Sequence, residues 1–274
     1  MKTKVMGVLH LTPDAFAASD RSPTRAAVTR GRRMIADGAD ILEVNCPAPA
    51  GEPAPAEGAA RVVAALAGDV RVAVATGSPE LAAAATAAGA TLICDASGAV
   101  SVPAGPGEAL VGVAADTGAG WVAAPAPASE GNSRPSGAGS VLAETLRALE
   151  TQVARLSAAG LREIYLDPGI GGDRAVAEDL DLLGGMERLA TLGRPLVVGV
   201  DDGRLIDELH AAADTRRLAE SAAAGDRWAD RLEGALAVAV WAMLAGAAVL
   251  RTRHVAATVQ AARTVGAKQP AGPT

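Results

Sequence analysis

The sequence predicts an α/β protein, a single (β/α)8 barrel of the TIM type, and three observations carry that expectation. Eight short apolar runs recur along 274 residues, and helical stretches rich in Ala, Leu and Arg separate them. The first run is not followed by a glycine-rich phosphate loop. Near-continuous apolar strands joined by helical crossovers imply a parallel sheet covered by helices, and eight such units close naturally into a barrel. The competing architecture, a doubly wound open sheet, would be expected to carry a G-x-G-x-x-G turn after its first strand.

In order, the strand runs are MGVLHL (Met6 to Leu11), DILEVN (Asp40 to Asn45), RVAVAT (Arg71 to Thr76) and TLICDA (Thr91 to Ala96). GWVAAP (Gly120 to Pro125), EIYLDP (Glu163 to Pro168), PLVVGV (Pro195 to Val200) and AAVLRT (Ala247 to Thr252) follow. Helices are read in TRAAVTRGRRMIADG, PELAAAATAAG, SVLAETLRALETQVARLSAAG and RLEGALAVAVWAMLAG, whose terminal AG or DG pairs suit helix stops. Two segments break the rhythm: the Pro/Gly/Ser-rich stretch from Pro125 to Gly139 after the fifth strand, and the charged stretch from Asp201 to Asp230 after the seventh. In a barrel both would lie on the face where function is built.

The length suits one domain, and no linker divides the chain. We expect the barrel over residues 1–266 and a frayed tail over 267–274. Half the residues are hydrophobic, yet there are only one Phe, one Tyr and three Trp, so Val, Leu, Ile and Ala must build the core. A formal net charge of −6 leaves no basic footprint for nucleic acid, which points to a small-molecule partner. The apolar run before Pro13 is too short for a signal peptide and no window approaches a membrane span. The two cysteines, Cys46 and Cys94, form no C-x-x-C pair, in keeping with a reducing cytoplasm.

A barrel gathers the residues just past its strands at one mouth. Those residues are His10, Thr12 and Asp14, then Asn45 and Cys46, Thr76, Cys94 and Asp95. The later strands add Asp167, Asp201 and Asp202, and finally Arg251, Arg253 and His254. In LDPGIGG, Leu166 to Gly172, a proline holds the carboxylate of Asp167 in a stiff backbone and the glycines let a ligand approach; D-P-G is also an ordinary turn. RTRHV, Arg251 to Val255, puts cations where barrels often bind phosphate, or starts a solvated helix.

MGVLHLTPDAF, GADILEVN, AAGATLICDASG, LDPGIGG, RPLVVGV and GAAVLRTRHVAATVQAARTV stand in the order and spacing of the dihydropteroate synthases. The chain resembles that family from Met6 to about Val265. The resemblance implies a (β/α)8 barrel that joins a dihydropterin pyrophosphate to an aryl amine such as para-aminobenzoate in folate synthesis. It also implies Mg2+ assisting the departure of pyrophosphate, and a homodimer packed through barrel helices; the apolar stretch Leu236 to Gly246 suits that contact or a buried helix.

Carried over residue by residue, the resemblance makes Asp167 the heterocycle-binding carboxylate. Arg251, Arg253 and His10 become the groups around a pyrophosphate, and His10, standing where the family has asparagine, becomes the candidate metal contact. Thr12, Asp14, Asp95 and Arg204 complete the expected substrate contacts, with Arg204 one residue beyond the family's lysine. Other positions depart from the pattern. NCPAPAGE (Asn45 to Glu52) replaces the loop that closes over the amine, Ala75 replaces an aspartate of the pterin pocket, and Cys94 replaces an asparagine. DDGRL (Asp201 to Leu205) replaces S-R-K-S-F. Two readings follow: a transferase of the dihydropteroate synthase type, or a homologue that has lost or changed its reaction and acts as a binding protein or on another substrate. Cys46 and Cys94 are read either as small buried hydrophobes or as nucleophiles or metal ligands in the mouth.

Overall fold

In the computed structural model, the described residues are 2–11, 22–46, 55–95, 107–125, 138–171, 174–201, 203–211 and 231–267. Eight strands are present, and each overlaps one of the expected runs. They are β1 (Lys4–His10), β2 (Ile41–Asn45), β3 (Arg71–Thr76), β4 (Leu92–Asp95), β5 (Gly120–Ala123), β6 (Ile164–Leu166), β7 (Val197–Gly199) and β8 (Val249–Thr252). All pairings are parallel, in the order β6-β5-β4-β3-β2-β1-β8-β7. A parallel bridge from Leu166 to Leu196 joins the two ends, with the Leu166 N–H donating to the Pro195 carbonyl at 2.9 Å. The sheet is thus a nearly closed barrel, as the sequence predicts.

Helices fill the crossovers: α1 (Ser22–Ala36), α2 (Ala56–Leu66), α3 (Pro79–Ala87), α4 (Gly107–Thr117), α5 (Ala138–Ala158), α6 (Val176–Gly184), α7 (Met186–Ala190), α8 (Gly203–Ala211), α9 (Leu232–Leu244) and α10 (Val255–Gly266). Local chemistry explains their limits. At α3 the Ser78 hydroxyl accepts the Leu81 N–H, Pro79 supplies a preset φ, and Glu80 offsets the helix dipole. The glycines that end α1, α3, α5 and α9 in the sequence (Gly38, Gly89, Gly160 and Gly246) all have φ between 89° and 111°, which a side chain would resist. Among the described residues no helix is long and apolar enough to cross a membrane.

Side-chain alternation along the strands separates two cores. Outward residues such as Leu42, Val74, Ile93 and Trp121 pack under the helices, and inward residues form a second cluster on the barrel axis. The interior is layered. Even-numbered strands supply Ile41, Leu92, Tyr165 and Val249, and odd-numbered strands supply Met6, Ala73, Val122 and Val197 above them. Among the described residues Tyr165 is the single aromatic in this cluster; Ala, Val, Leu, Ile, Met6 and Cys94 fill the rest.

The N-terminal end is closed by a polar plug. Arg71 Nη1 and Nη2 each donate to a Glu163 oxygen at 2.7 Å, and its Nε donates to Thr91 Oγ1 at 3.1 Å. The Tyr165 hydroxyl donates to Glu163 Oε1 at 2.9 Å. A Cβ at Gly120 would lie 2.9 Å from Glu163 Oε2, so a larger residue at the start of β5 would require this carboxylate to shift.

Candidate active site

The next interior layer on the even-numbered strands is entirely different in chemistry: Glu43 from β2, Cys94 from β4, Asp167 beyond β6 and Arg251 from β8. Arg251 spans it. Its Nη2 donates to Asp167 Oδ2 at 2.5 Å and its Nη1 to Glu43 Oε2 at 3.4 Å. Strands β2 and β6 face each other across a barrel of eight, so the guanidinium bridges opposite walls. The carboxylates hold Arg251 charged well above the ordinary arginine range, with Asp167 the larger influence and burial opposing it.

Asp167 is placed by the backbone around it. Its N–H donates to the Ala123 carbonyl at 2.8 Å, extending the β5 to β6 pairing by one residue. Its Oδ1 accepts the Gly169 N–H at 2.8 Å, a turn that needs the positive φ of Gly169, +70°. Both oxygens are therefore oriented, and the residue is 3% exposed.

His10 stands at the end of β1 opposite Asn45, on the rim. Its pKa is lowered, first by burial and then by Arg253, with Arg251 adding to the effect and Glu43 opposing it. The ordinary value for histidine is already below neutrality, so at pH 7 the neutral imidazole of His10 predominates in the unliganded protein.

Arg253 is a rim residue with its Nε 3.8 Å from Asp201 Oδ2. Asp201 itself works as a clamp. It accepts from the Thr252 hydroxyl at 2.8 Å and from the Arg253 N–H, tying the ends of β7 and β8 together. Thr252 Oγ1 in turn accepts the His254 N–H at 2.9 Å, starting α10.

Asp95 is buried and shares the outward parity of Ile93, not the inward one of Cys94. Arg204, on α8, donates to Glu208 one turn along the same helix at 3.3 Å. Thr12, Asp14 and Asp202 lie outside the described residues, as do residues 47–52 of the second loop, 126–137 of the fifth, 212–230 of the seventh and 268–274 of the tail.

Both cysteines are buried and free. Burial pushes the Cys46 thiol up to about 12, and burial followed by the Glu43 carboxylate pushes Cys94 up as well. Thiols raised in this way are protonated at pH 7 and poor nucleophiles. Their packing fits the small-hydrophobe reading.

Glu43 is the residue that sequence reasoning missed. It sits inside ILEVN, a run read as apolar strand. The signal was parity: in that strand Glu43 falls on the inward face, two residues from Ile41 and two from Asn45, where a lone carboxylate demands a partner.

The fit to Mg2+ can be tested on the donors present. Among the described residues no three His, Cys, Asp or Glu side chains gather into a metal-binding group. His10 offers one nitrogen, with Arg253 and Arg251 acting on it, whereas Mg2+ prefers several oxygens. The described residues do not fit a Mg2+ centre at His10.

Eight parallel strands, crossover helices and a charged layer at the C-terminal mouth define a (β/α)8 barrel of the kind that holds its site among its βα loops. Comparison with known proteins gives the family. The model of the pterin-binding enzymes matches residues 6–253, and this chain belongs to that family. It is 30% identical to the dihydropteroate synthase of Mycobacterium leprae over 294 aligned positions, covering 98% of this chain and 95% of that one. With the Escherichia coli K12 enzyme it shares 29% identity, covering 96% and 90%. Among solved structures, Xanthomonas albilineans dihydropteroate synthase in complex with 7,8-dihydropteroate superposes with a TM-score of 0.78 at 28% identity, covering 98% of this chain and 95% of that one. The Thermus thermophilus enzyme in complex with 6HMPPP gives 0.76 at 30% identity, with the same coverage.

Proposed function

We propose that this protein is a transferase of the dihydropteroate synthase type, acting in folate-type synthesis on a dihydropterin pyrophosphate, or a related activated heterocycle, and an aryl amine. The observation that carries the proposal is Asp167: a buried carboxylate with both oxygens oriented, at the end of a barrel strand and beside a cation. Such a group pairs with the donor edge of a heterocycle without reorganising first. Arg253 and the neutral imidazole of His10, on the rim above, suit a pyrophosphate group, with Thr12 and Asp14 as further contacts from the β1 loop. In the reaction the bond between the heterocycle's methylene carbon and the ester oxygen breaks, and pyrophosphate leaves with the electron pair. The amine nitrogen then forms the new C–N bond and gives up one proton to solvent. Cations at the rim lower the barrier because charge builds on the leaving oxygen.

Homodimerisation belongs to the same proposal. Trp241 and Leu244 on α9 are 43% and 70% exposed, an apolar surface of the sort that helices bury against a second copy.

The test is pyrophosphate release from dihydropterin pyrophosphate, with and without para-aminobenzoate. Amine-dependent release supports the transferase; no release from folded protein rejects it. A second reading, a homologue with a lost or altered reaction, is favoured by one observation. Ala75 and Cys94 line the wall with 3% and 4% exposure, leaving that side of the mouth without the carboxylate and amide the family resemblance implies. That reading expects a ligand in the mouth that a pterin does not displace.

A further inference from the structure

The charged layer holds one guanidinium and two carboxylates, and the second carboxylate changes what Arg251 can do. Glu43 is 2% exposed, and its charge is met by Arg251 Nη1. A carboxylate so buried demands a cation. Arg251 is consequently drawn across the barrel between Glu43 and Asp167, with two of its nitrogens engaged and its side chain 27% exposed. Counting Arg251 as +1 and the two carboxylates as −1 each, the layer carries a net charge of −1. The cation on the rim above, among the described residues, is Arg253, whose side chain is 36% exposed and meets Asp201 through Nε, 3.8 Å from the carboxylate, and through Nη2, which donates to the carbonyl at 3.4 Å.

We propose that Glu43 is a specificity-determining residue of this mouth, one that positions Arg251 as part of the heterocycle-binding floor and withholds it from the anion of the substrate. Anion affinity then rests on Arg253, and the mouth favours a ligand whose donor-rich edge faces the two carboxylates over a polyanion entering alone. The inference rests on the reading of this mouth as the site for an activated heterocycle, but its test requires neither turnover nor the heterocycle.

The probe is inorganic pyrophosphate, titrated calorimetrically into the full chain at fixed ionic strength. Glu43→Gln keeps the shape of the side chain, removes one negative charge and weakens the hold on Arg251 Nη1. We expect it to bind pyrophosphate about 10-fold more tightly than the unaltered protein. Arg253→Gln should weaken binding by about the same factor. A gain in affinity separates positioning from a structural role, because a variant that only loosened the fold would lose it. Should Glu43→Gln fail to fold, Glu43→Asp draws the carboxylate back from a contact already 3.4 Å long, and about a 3-fold gain is expected. Equal or weaker affinity in the folded Glu43 variant overturns the proposal, as does binding too weak to measure in both proteins. Amine-dependent pyrophosphate release in the unaltered chain tests the transferase separately, so the two can fail independently.

Discussion

The two ends of the barrel hold arginines in opposite ways. At the N-terminal end Arg71 meets one carboxylate, Glu163, through two bonds of equal length, and Tyr165 and Thr91 complete the plug. Toward the C-terminal end Arg251 is shared unequally between Asp167 at 2.5 Å and Glu43 at 3.4 Å, and both acids are buried. The first arrangement is charge-balanced and partly open to water, with Glu163 47% exposed. The second carries an excess carboxylate, with Glu43 2% and Asp167 3% exposed. A balanced pair closes a barrel; an unbalanced one keeps a demand for donors that a ligand can meet.

The largest effect should come from removing the mouth cation. Arg251→Met leaves two buried carboxylates without a cation, and urea unfolding should show a loss of about 3–5 kcal/mol. The sign of its pH dependence sharpens the point. Unpaired buried carboxylates have raised pKa values, so the folded variant binds more protons than the unfolded chain and gains stability as pH falls from 7 toward 5. A variant whose stability is unchanged would mean that the layer is wetter than its burial implies.

Next in size is Asp167→Asn. It keeps the shape and leaves Arg251 paired with Glu43, so the protein should fold while kcat/KM for pyrophosphate release drops at least about 10-fold. Full activity in this variant would remove the carboxylate from the proposed site.

A smaller loss is expected at the plug. Arg71→Met exposes a half-solvated Glu163, and the cost should be under about 1 kcal/mol by the same urea measurement. Arg71 lowers the Glu163 pKa, mainly through their hydrogen bonds. The stability from that pairing is present above the unfolded carboxylate value of about 4.3 and is lost as pH falls through the lower folded value. The unaltered protein should therefore lose this contribution in acid, and Arg71→Met should show no such step. Equal losses for Arg71→Met and Arg251→Met would erase the contrast between the two ends.

The smallest effect concerns the thiols. With both pKa values raised by burial, iodoacetamide at pH 8 should leave Cys46 and Cys94 unmodified in the folded protein and label both in urea, as mass spectrometry would show. Rapid native labelling of Cys94 would place it at an open surface of the mouth.

Strand positions were legible because parallel strands buried on both faces read as short continuous apolar runs. RVAVAT matches β3 residue for residue, and the other seven differ by a few residues at their ends. Of the site, LDPGIGG and RTRHV were legible because proline, glycine and paired cations at a strand end are unusual in a core. Glu43 was concealed by its apolar neighbours. Asp95 looked like a mouth residue until alternation turned it outward, and Arg204 reads as a possible reach into the mouth although its visible partner is Glu208 on its own helix.

Composition, periodicity and strand-end motifs by themselves determined a barrel of eight parallel units with its polar residues at one mouth, because those properties depend on local alternation and on neighbours in sequence. Only the tertiary structure decided which charges meet. Arg251, Asp167 and Glu43 come from strands 84 and 208 residues apart in sequence. Their division of one cation between two acids depends on barrel closure and strand register, which bring opposite walls within hydrogen-bonding distance across the axis.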